Sequence, residues 1–253
     1  MKKRNKVFLL AAFAISTVIS SCTKDKVEEP VQTPDTAPTA NTNFSFSDGH
    51  GVLAAVKSVS YTTVAGYSVP VETNTAVAVF SANPGSSAYA DAGAVQLNGR
   101  ELTKQTNNSY VYQDFTNPIT FNQVAWTVAG TSAVPSINYT HSKPLPSFSG
   151  YSALPAAVTR SNGLTVSLGS AVSGADSVYV ILTGNSGSQY LLKRLGGSAS
   201  QAVFTAAELS GLNAGNTGLL QVVPWNYTTV DFSGKKVYFV NETAYSKIGI
   251  TIN

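Results

Sequence analysis

Val95-Gln96-Leu97-Asn98-Gly99-Arg100-Glu101-Leu102 decides the fold class. Asn-Gly is favoured in a two-residue type I′ turn because both central residues take positive φ. Such a turn sets Leu97 opposite Arg100 and Val95 opposite Leu102. Val95, Leu97 and Leu102 then share one face, while Gln96 meets Glu101 on the other. Turn chemistry and apolar pattern specify the same register, so the stretch reads as a β-hairpin.

The pattern continues on both sides. Upstream, Val52, Ala54 and Val56 alternate with Leu53 and Ala55, then come Val59, Tyr61, and Val69 and Val71 around Pro70. Ala76-Val77-Ala78-Val79-Phe80 is apolar on both faces, as in a central strand. Downstream, Tyr110 and Tyr112 flank Val111, and Val124, Trp126 and Val128 share a face. Ile137 and Tyr139 close the first half. Lys143-Pro144-Leu145-Pro146 breaks the alternation, since proline removes ladder donors. This predicts a boundary between a first unit at 44–143 and a second at 144–253.

The second half has the same style. Leu164, Val166 and Leu168 alternate, Val178–Leu182 reads as a buried strand, and Gln189–Arg194 is another candidate. Thr205-Ala206-Ala207-Glu208 fits a capping box, predicting one helical turn that crosses between sheets. Leu219–Val223 reads as a strand stopped by Pro224, and Val237–Val240 as one that follows a Ser233-Gly234 turn. Ile248, Ile250 and Ile252 alternate in a final strand with one buried face. Short strands separated by turn residues, with almost no helix, predict an all-β chain of two consecutive antiparallel β-sandwiches.

Residues 1–43 are of another kind. Lys2, Lys3, Arg4 and Lys6 precede the apolar run Val7–Ile15, and Ile19-Ser20-Ser21 leads to Cys22, the single cysteine. The run is short for a bilayer span and reads as a secretory signal, 1–21. Residues 22–43 read as a tether: Pro30, Pro34 and Pro38 recur among small residues after a charged patch, a composition that buries little and stays extended or disordered.

Charge excludes one class of partner. Of the 16 basic residues, four lie in the leader; without them the chain has one fewer basic residue than its 13 acidic ones. Nucleic-acid binding therefore has no electrostatic support. Charged residues make up 11%, against about 25% in average chains. A single cysteine leaves the folded part without an internal disulfide, so its core must hold it.

Few residues carry chemistry. His50 and His141 have no second His or Cys at ligand spacing and read as surface-loop residues, so no metal site and no cofactor is expected. Outside leader and tether the carboxylates are Asp48, Glu72, Asp91, Glu101, Asp114, Asp176, Glu208, Asp231 and Glu242. A glycosidase needs two of these facing each other across a cleft, and the sequence pairs none of them. The candidate ligand-binding residues are Trp225 and Tyr227. If Pro224 ends its strand, both rings lie on one side of an extended segment, and exposed coplanar rings suit a sugar or a protein contact. The competing reading has Trp225 packed on the core.

Ile19-Ser20-Ser21-Cys22 resembles the lipobox of bacterial lipoproteins, and the whole chain resembles outer-membrane lipoproteins of the Bacteroidota type with tandem immunoglobulin-like β-sandwiches. The resemblance implies an acylated Cys22 as mature N-terminus and an outer-membrane, lipid-anchored location, facing periplasm or exterior. Asp35-Thr36-Ala37 resembles the O-glycosylation motif of such exported proteins, which would modify Thr36; Asp176-Ser177-Val178 matches it too. The function implied is non-catalytic binding of a glycan or an envelope protein. A fimbrillin-like subunit is the alternative, although its family carries an early arginine-directed cleavage site and no arginine lies between Cys22 and Arg100. A cell-envelope hydrolase is the third reading.

Overall fold

The computed structural model describes residues 46–65, 67–86, 88–187 and 189–253. The signal, Cys22, the tether and Thr36 lie outside the described residues. The described chain is all-β apart from short helical turns. In order its strands are β1 (Gly51–Val64), β2 (Tyr67–Phe80), β3 (Val95–Leu97), β4 (Arg100–Glu101), β5 (Thr103–Lys104), β6 (Tyr110–Tyr112), β7 (Ala125–Val128), β8 (Ile137–Thr140) and β9 (Ser147–Phe148). Then follow β10 (Ala157–Val158), β11 (Leu164–Ser167), β12 (Val172–Ser173), β13 (Ser177–Thr183), β14 (Tyr190–Gly196), β15 (Gln201–Phe204), helix α1 (Ala206–Leu209), β16 (Gly215–Phe232) and β17 (Lys235–Ile252).

The Asn98-Gly99 hairpin forms as its sequence specifies. Asn98 and Gly99 have φ of 50° and 75°. Leu97 pairs with Arg100 and Gln96 with Glu101, and the Leu102 amide donates to the Val95 carbonyl. The predicted capping box is also present: Thr205 and Glu208 satisfy each other's backbone amides, and α1 carries the chain from β15 into β16.

One nine-stranded sheet dominates, in the order β14-β13-β16-β17-β1-β2-β6-β5, with β10 on the end of β17. The sheet is mixed, which corrects the purely antiparallel expectation. β1 runs parallel to β17, from Gly51 against Val237 to Ser60 against Ser246. These two strands lie at opposite ends of the sequence, so the intervening chain makes the crossover that parallel pairing requires.

Along one face of β17 the side chains read Val237, Phe239, Asn241, Thr243, Tyr245. Val237 and Phe239 join a first core with Leu53, Ala55, Ala76, Ala78, Phe80 and Tyr110, closed by Val95, Leu97, Trp126, Val128 and Ile137 of the β4-β3-β7-β8 sheet. Tyr245 leans on a second core, where Val178, Val180, Leu182, Leu220 and Val222 meet Val166, Ala202 and Phe204 of the β11-β15 pair and Leu209 of α1. The chain passes from one core to the other through Lys143–Pro146, where the composition changes, yet the β16–β17 hairpin serves both.

Two strand ends depart from expectation. Pro224 does not stop its strand; β16 runs through it to Phe232. The pairing of β16 with β17 skips Val223 and Pro224 and resumes at Trp225 with Glu242, so the missing donor costs a ladder bond without breaking the strand. At the other end, Gly249 has φ +76°, and pairing slips from Leu219 with Ile248 to Gly218 with Ile250. The extra residue shifts the phase of the strand, as a β-bulge does. Ile250 and Ile252 therefore enter the second core at 1% exposure, while Ile248 is 69% exposed. The three isoleucines do not share a face.

Candidate functional site

The other face of the long sheet carries an aromatic strip. Because side chains alternate, Trp225 and Tyr227 of β16 face the same way, beside Tyr238 and Val240 of β17 and Val52, Ala54 and Val56 of β1. The Trp225 ring centroid lies 5.8 Å from Tyr227, 5.5 Å from Tyr179 and 6.3 Å from Phe46. Tyr238 continues the strip, 6.1 Å from Tyr227 and 5.0 Å from Phe46, edge to face with the latter.

Charge frames this strip at two places. The Tyr238 hydroxyl donates to Asp48 Oδ1 at 2.5 Å, and Lys236 Nζ to Asp48 Oδ2 at 2.7 Å. These bonds, from Lys236 first and Tyr238 second, hold the Asp48 carboxyl below its ordinary pKa. Burial, reinforced by the bond to Asp48, pushes the Tyr238 phenol up. It stays a neutral hydrogen-bond donor at physiological pH. On the other side Asp176 Oδ2 accepts from Lys143 Nζ at 2.7 Å and from the Tyr227 amide at 3.0 Å. Lys143 Nζ stands 5.9 Å over the Tyr227 ring, within cation–π range. Trp225 and Tyr238 are buried within the strip, and the rings left partly open to a ligand are those of Phe46, Tyr179 and Tyr227.

Of the two predicted ligand residues, Trp225 is 3% exposed and Tyr227 is half-buried. The rings share a face, but inside a strand and not in a loop at a sandwich end. The sequence reading missed Phe46 and Tyr179, which are remote in sequence, and Tyr238, which the β16–β17 hairpin folds back beside Tyr227. The basic pair Lys235-Lys236 held a weak signal, since Lys236 is the partner of Asp48. Ser177 of the second glycosylation tripeptide begins β13, paired with Trp225 and Gly196.

His141 is the largest departure. It is 6% exposed, not a surface-loop residue. Its Nε2 donates to the Phe239 carbonyl at 3.1 Å, and its Nδ1 accepts from the Lys143 amide at 3.1 Å. That pattern fixes the neutral Nε2–H tautomer, and burial lowers its pKa from 6.5. Beside it, Asn241 Nδ2 donates to the Lys143 carbonyl at 2.8 Å, and Asn226 Nδ2 to the carbonyls of Pro144 and Gly174 at 2.8 and 2.7 Å. Asn226 and Asn241 are cross-strand partners with no exposed surface. They clasp the linker to the sheet where the two cores meet. His50 is half-buried, its backbone tied to Lys236 and Ser81.

Two carboxylates, Asp91 and Glu101, line one open surface depression with Lys104 and Tyr110. Asp91 pairs with Lys104 at 2.8 Å and accepts from the Tyr110 hydroxyl at 2.8 Å. The lysine bond, with those from the Gly93 amide and Tyr110, brings its pKa to about 2. A general acid needs the opposite shift. Among the described residues, no three His, Cys, Asp or Glu side chains come together as a metal site would require. No protein-family model, no curated protein and no solved structure matches the chain.

Proposed function

We propose that this chain is a lipid-anchored cell-envelope protein of the outer membrane, with a non-catalytic body that binds a glycan or an envelope protein. The observation that carries the reading is the aromatic strip, whose rim residue Tyr227 stands between the Lys143–Asp176 and Asp48–Lys236 pairs. Sugars present apolar faces and polar edges, and ring faces beside fixed charges match both. The leader, the Cys22 lipobox and the tether support the anchoring half of the reading. The two cores, each between the long sheet and a smaller one, support a pair of immunoglobulin-like sandwiches that have fused along their shared β16–β17 hairpin.

The test is a glycan array, followed by titration of any hit against Tyr227→Ala. Tyr227 is only half-buried, so its truncation should cost at least tenfold in affinity and leave the melting temperature within a few degrees. Trp225→Ala is the contrast: removal of a fully packed Trp should cost about 3–5 kcal/mol of stability. Unchanged binding by Tyr227→Ala would remove the strip as the site.

A further inference from the structure

We propose that the tip of the β1–β2 hairpin is a second membrane contact, which lays an uncharged aromatic and aliphatic face on the surface of the bilayer that holds the anchor. This inference rests on the lipid-anchor reading and adds a contact to it. Past Ser60 with Ser246 the pairing of β1 with β17 ends. Beyond the Tyr61–Tyr151 stack at its base, the hairpin continues as a two-stranded arm.

Four of its exposed apolar side chains lie on one face; the fifth, Tyr61, turns to the other face and stacks on Tyr151 at 4.0 Å. Tyr67 pairs with Val64, Val69 with Thr62 and Val71 with Ser60, so Val64, Tyr67, Val69 and Val71 point the same way. They are 56%, 76%, 41% and 45% exposed, and Ile248, two residues past the last β17 pair with β1, adds a side chain 69% exposed. Isolated exposed apolar residues need no explanation, but a contiguous patch marks an interaction surface. From Ser58 to Val71 the sequence holds no charged residue. The flanking charges, Lys57 and Glu72, pair with each other at 2.8 Å, and alternation puts both on the opposite face.

A second copy is the obvious competing occupant, because β6 covers β2 only at Ala76–Ala78 and leaves its outer edge open toward the tip. Pro70 stands in that open stretch, and a proline on an edge interrupts the ladder that another strand would need. The polar residues on this face, Ser60 and Thr62, are small and uncharged. The face has the composition of an interfacial contact: aliphatic side chains, and Tyr, whose ring is apolar and whose hydroxyl stays wet.

Reach allows it. From Cys22 to Phe46 the chain can span about 80 Å when extended. Phe46 packs on Trp225 and Tyr238 near the start of β1, and β1 carries the tip about 46 Å further at roughly 3.3 Å per residue. The anchor and the tip can therefore reach one bilayer. The tether also keeps that surface at high effective concentration.

The test uses the protein as the cell produces it, with Tyr67→Cys carrying an environment-sensitive fluorophore, in phosphatidylcholine vesicles. The expected result is a several-fold rise in emission, quenched by nitroxide-bearing lipids and insensitive to salt, because the patch holds no charge. The same label at Asp231→Cys, at the far end of the sheet, should not respond, and Val69→Ser with Val71→Ser should reduce the Tyr67→Cys signal. The unsubstituted protein, labelled in parallel, reports any contribution from Cys22. An acylated protein whose label at position 67 behaves like that at 231 overturns the proposal, as does a rise in lipid-free solution that accompanies dimers in sedimentation. Intact mass reads the acyl chains separately. A response without acylation would refute the anchor and keep the hairpin contact; a silent label without acylation would refute both.

Discussion

At the scale of single residues, the junction between the cores depends on three buried polar side chains. Asn226 donates one hydrogen bond to the linker carbonyl of Pro144 and one to the carbonyl of Gly174 in the loop before β13, and Asn226→Ala would remove both. A hydrogen bond contributes about 0.5–1.5 kcal/mol net, so urea unfolding should show a loss of about 1–3 kcal/mol. Because Asn241 holds the adjacent carbonyl, a double-mutant cycle of the two asparagines should show non-additivity. His141 makes the junction sensitive to pH. Its folded-state pKa is depressed below 6.5 by burial, so the unfolded chain takes up the proton first. Its contribution is complete above that pH and fades as pH falls through the folded value. Stability measured from pH 7.5 to 5 should decline in that window, and His141→Gln should flatten the decline. None of this was legible in the sequence, where Asn, His and Lys near prolines read as loop residues. The linker is held by Asn226 of β16 and Asn241 of β17, which lie about 80–100 residues further on.

At the scale of elements, local chemistry was a reliable guide and its absence was not. Asn98-Gly99 and the Thr205 capping box were read correctly because each motif satisfies its own backbone within a few residues. Pro224 misled, because proline forbids one donor and not a strand. Gly249 misled in the opposite sense: as one glycine in an alternating run it hides a bulge, and a bulge reverses which side chains are buried. The bulge makes a sharp prediction. Ile250→Ala should cost about 2–5 kcal/mol, as for truncation of a buried isoleucine. Ile248→Ser should stay within about 0.5 kcal/mol, as for an exposed site. Thermal or urea melts of the two variants check it, and equal effects would mean that the phase shift is wrong.

At the scale of the whole molecule, apolar alternation predicted the all-β class, but it could not predict that one long sheet would contribute strands to more than one core. A strand's partner is set by long-range packing, and nothing within Val237–Val240 names Leu53 as its neighbour across the sheet. Sharing has a thermodynamic signature. Because β16 and β17 lie in both cores, loss of either core removes support from the other. Trp126→Ala and Phe204→Ala, one in each core, should shift the same single calorimetric peak, with calorimetric and van't Hoff enthalpies equal. Two separable peaks would mean that the hairpin does not couple them. The parallel pairing of β1 with β17 also has a consequence in time. Phe239 is synthesised 186 residues after its partner Leu53, yet the first core is incomplete without it. A nascent chain that has not yet presented β17 therefore lacks part of the native packing of the first core. Closure of so long a loop is slow by nature. A polypeptide built this way completes its first core only after β17 has emerged, and a chain that is late to close is one that a narrow channel could still thread.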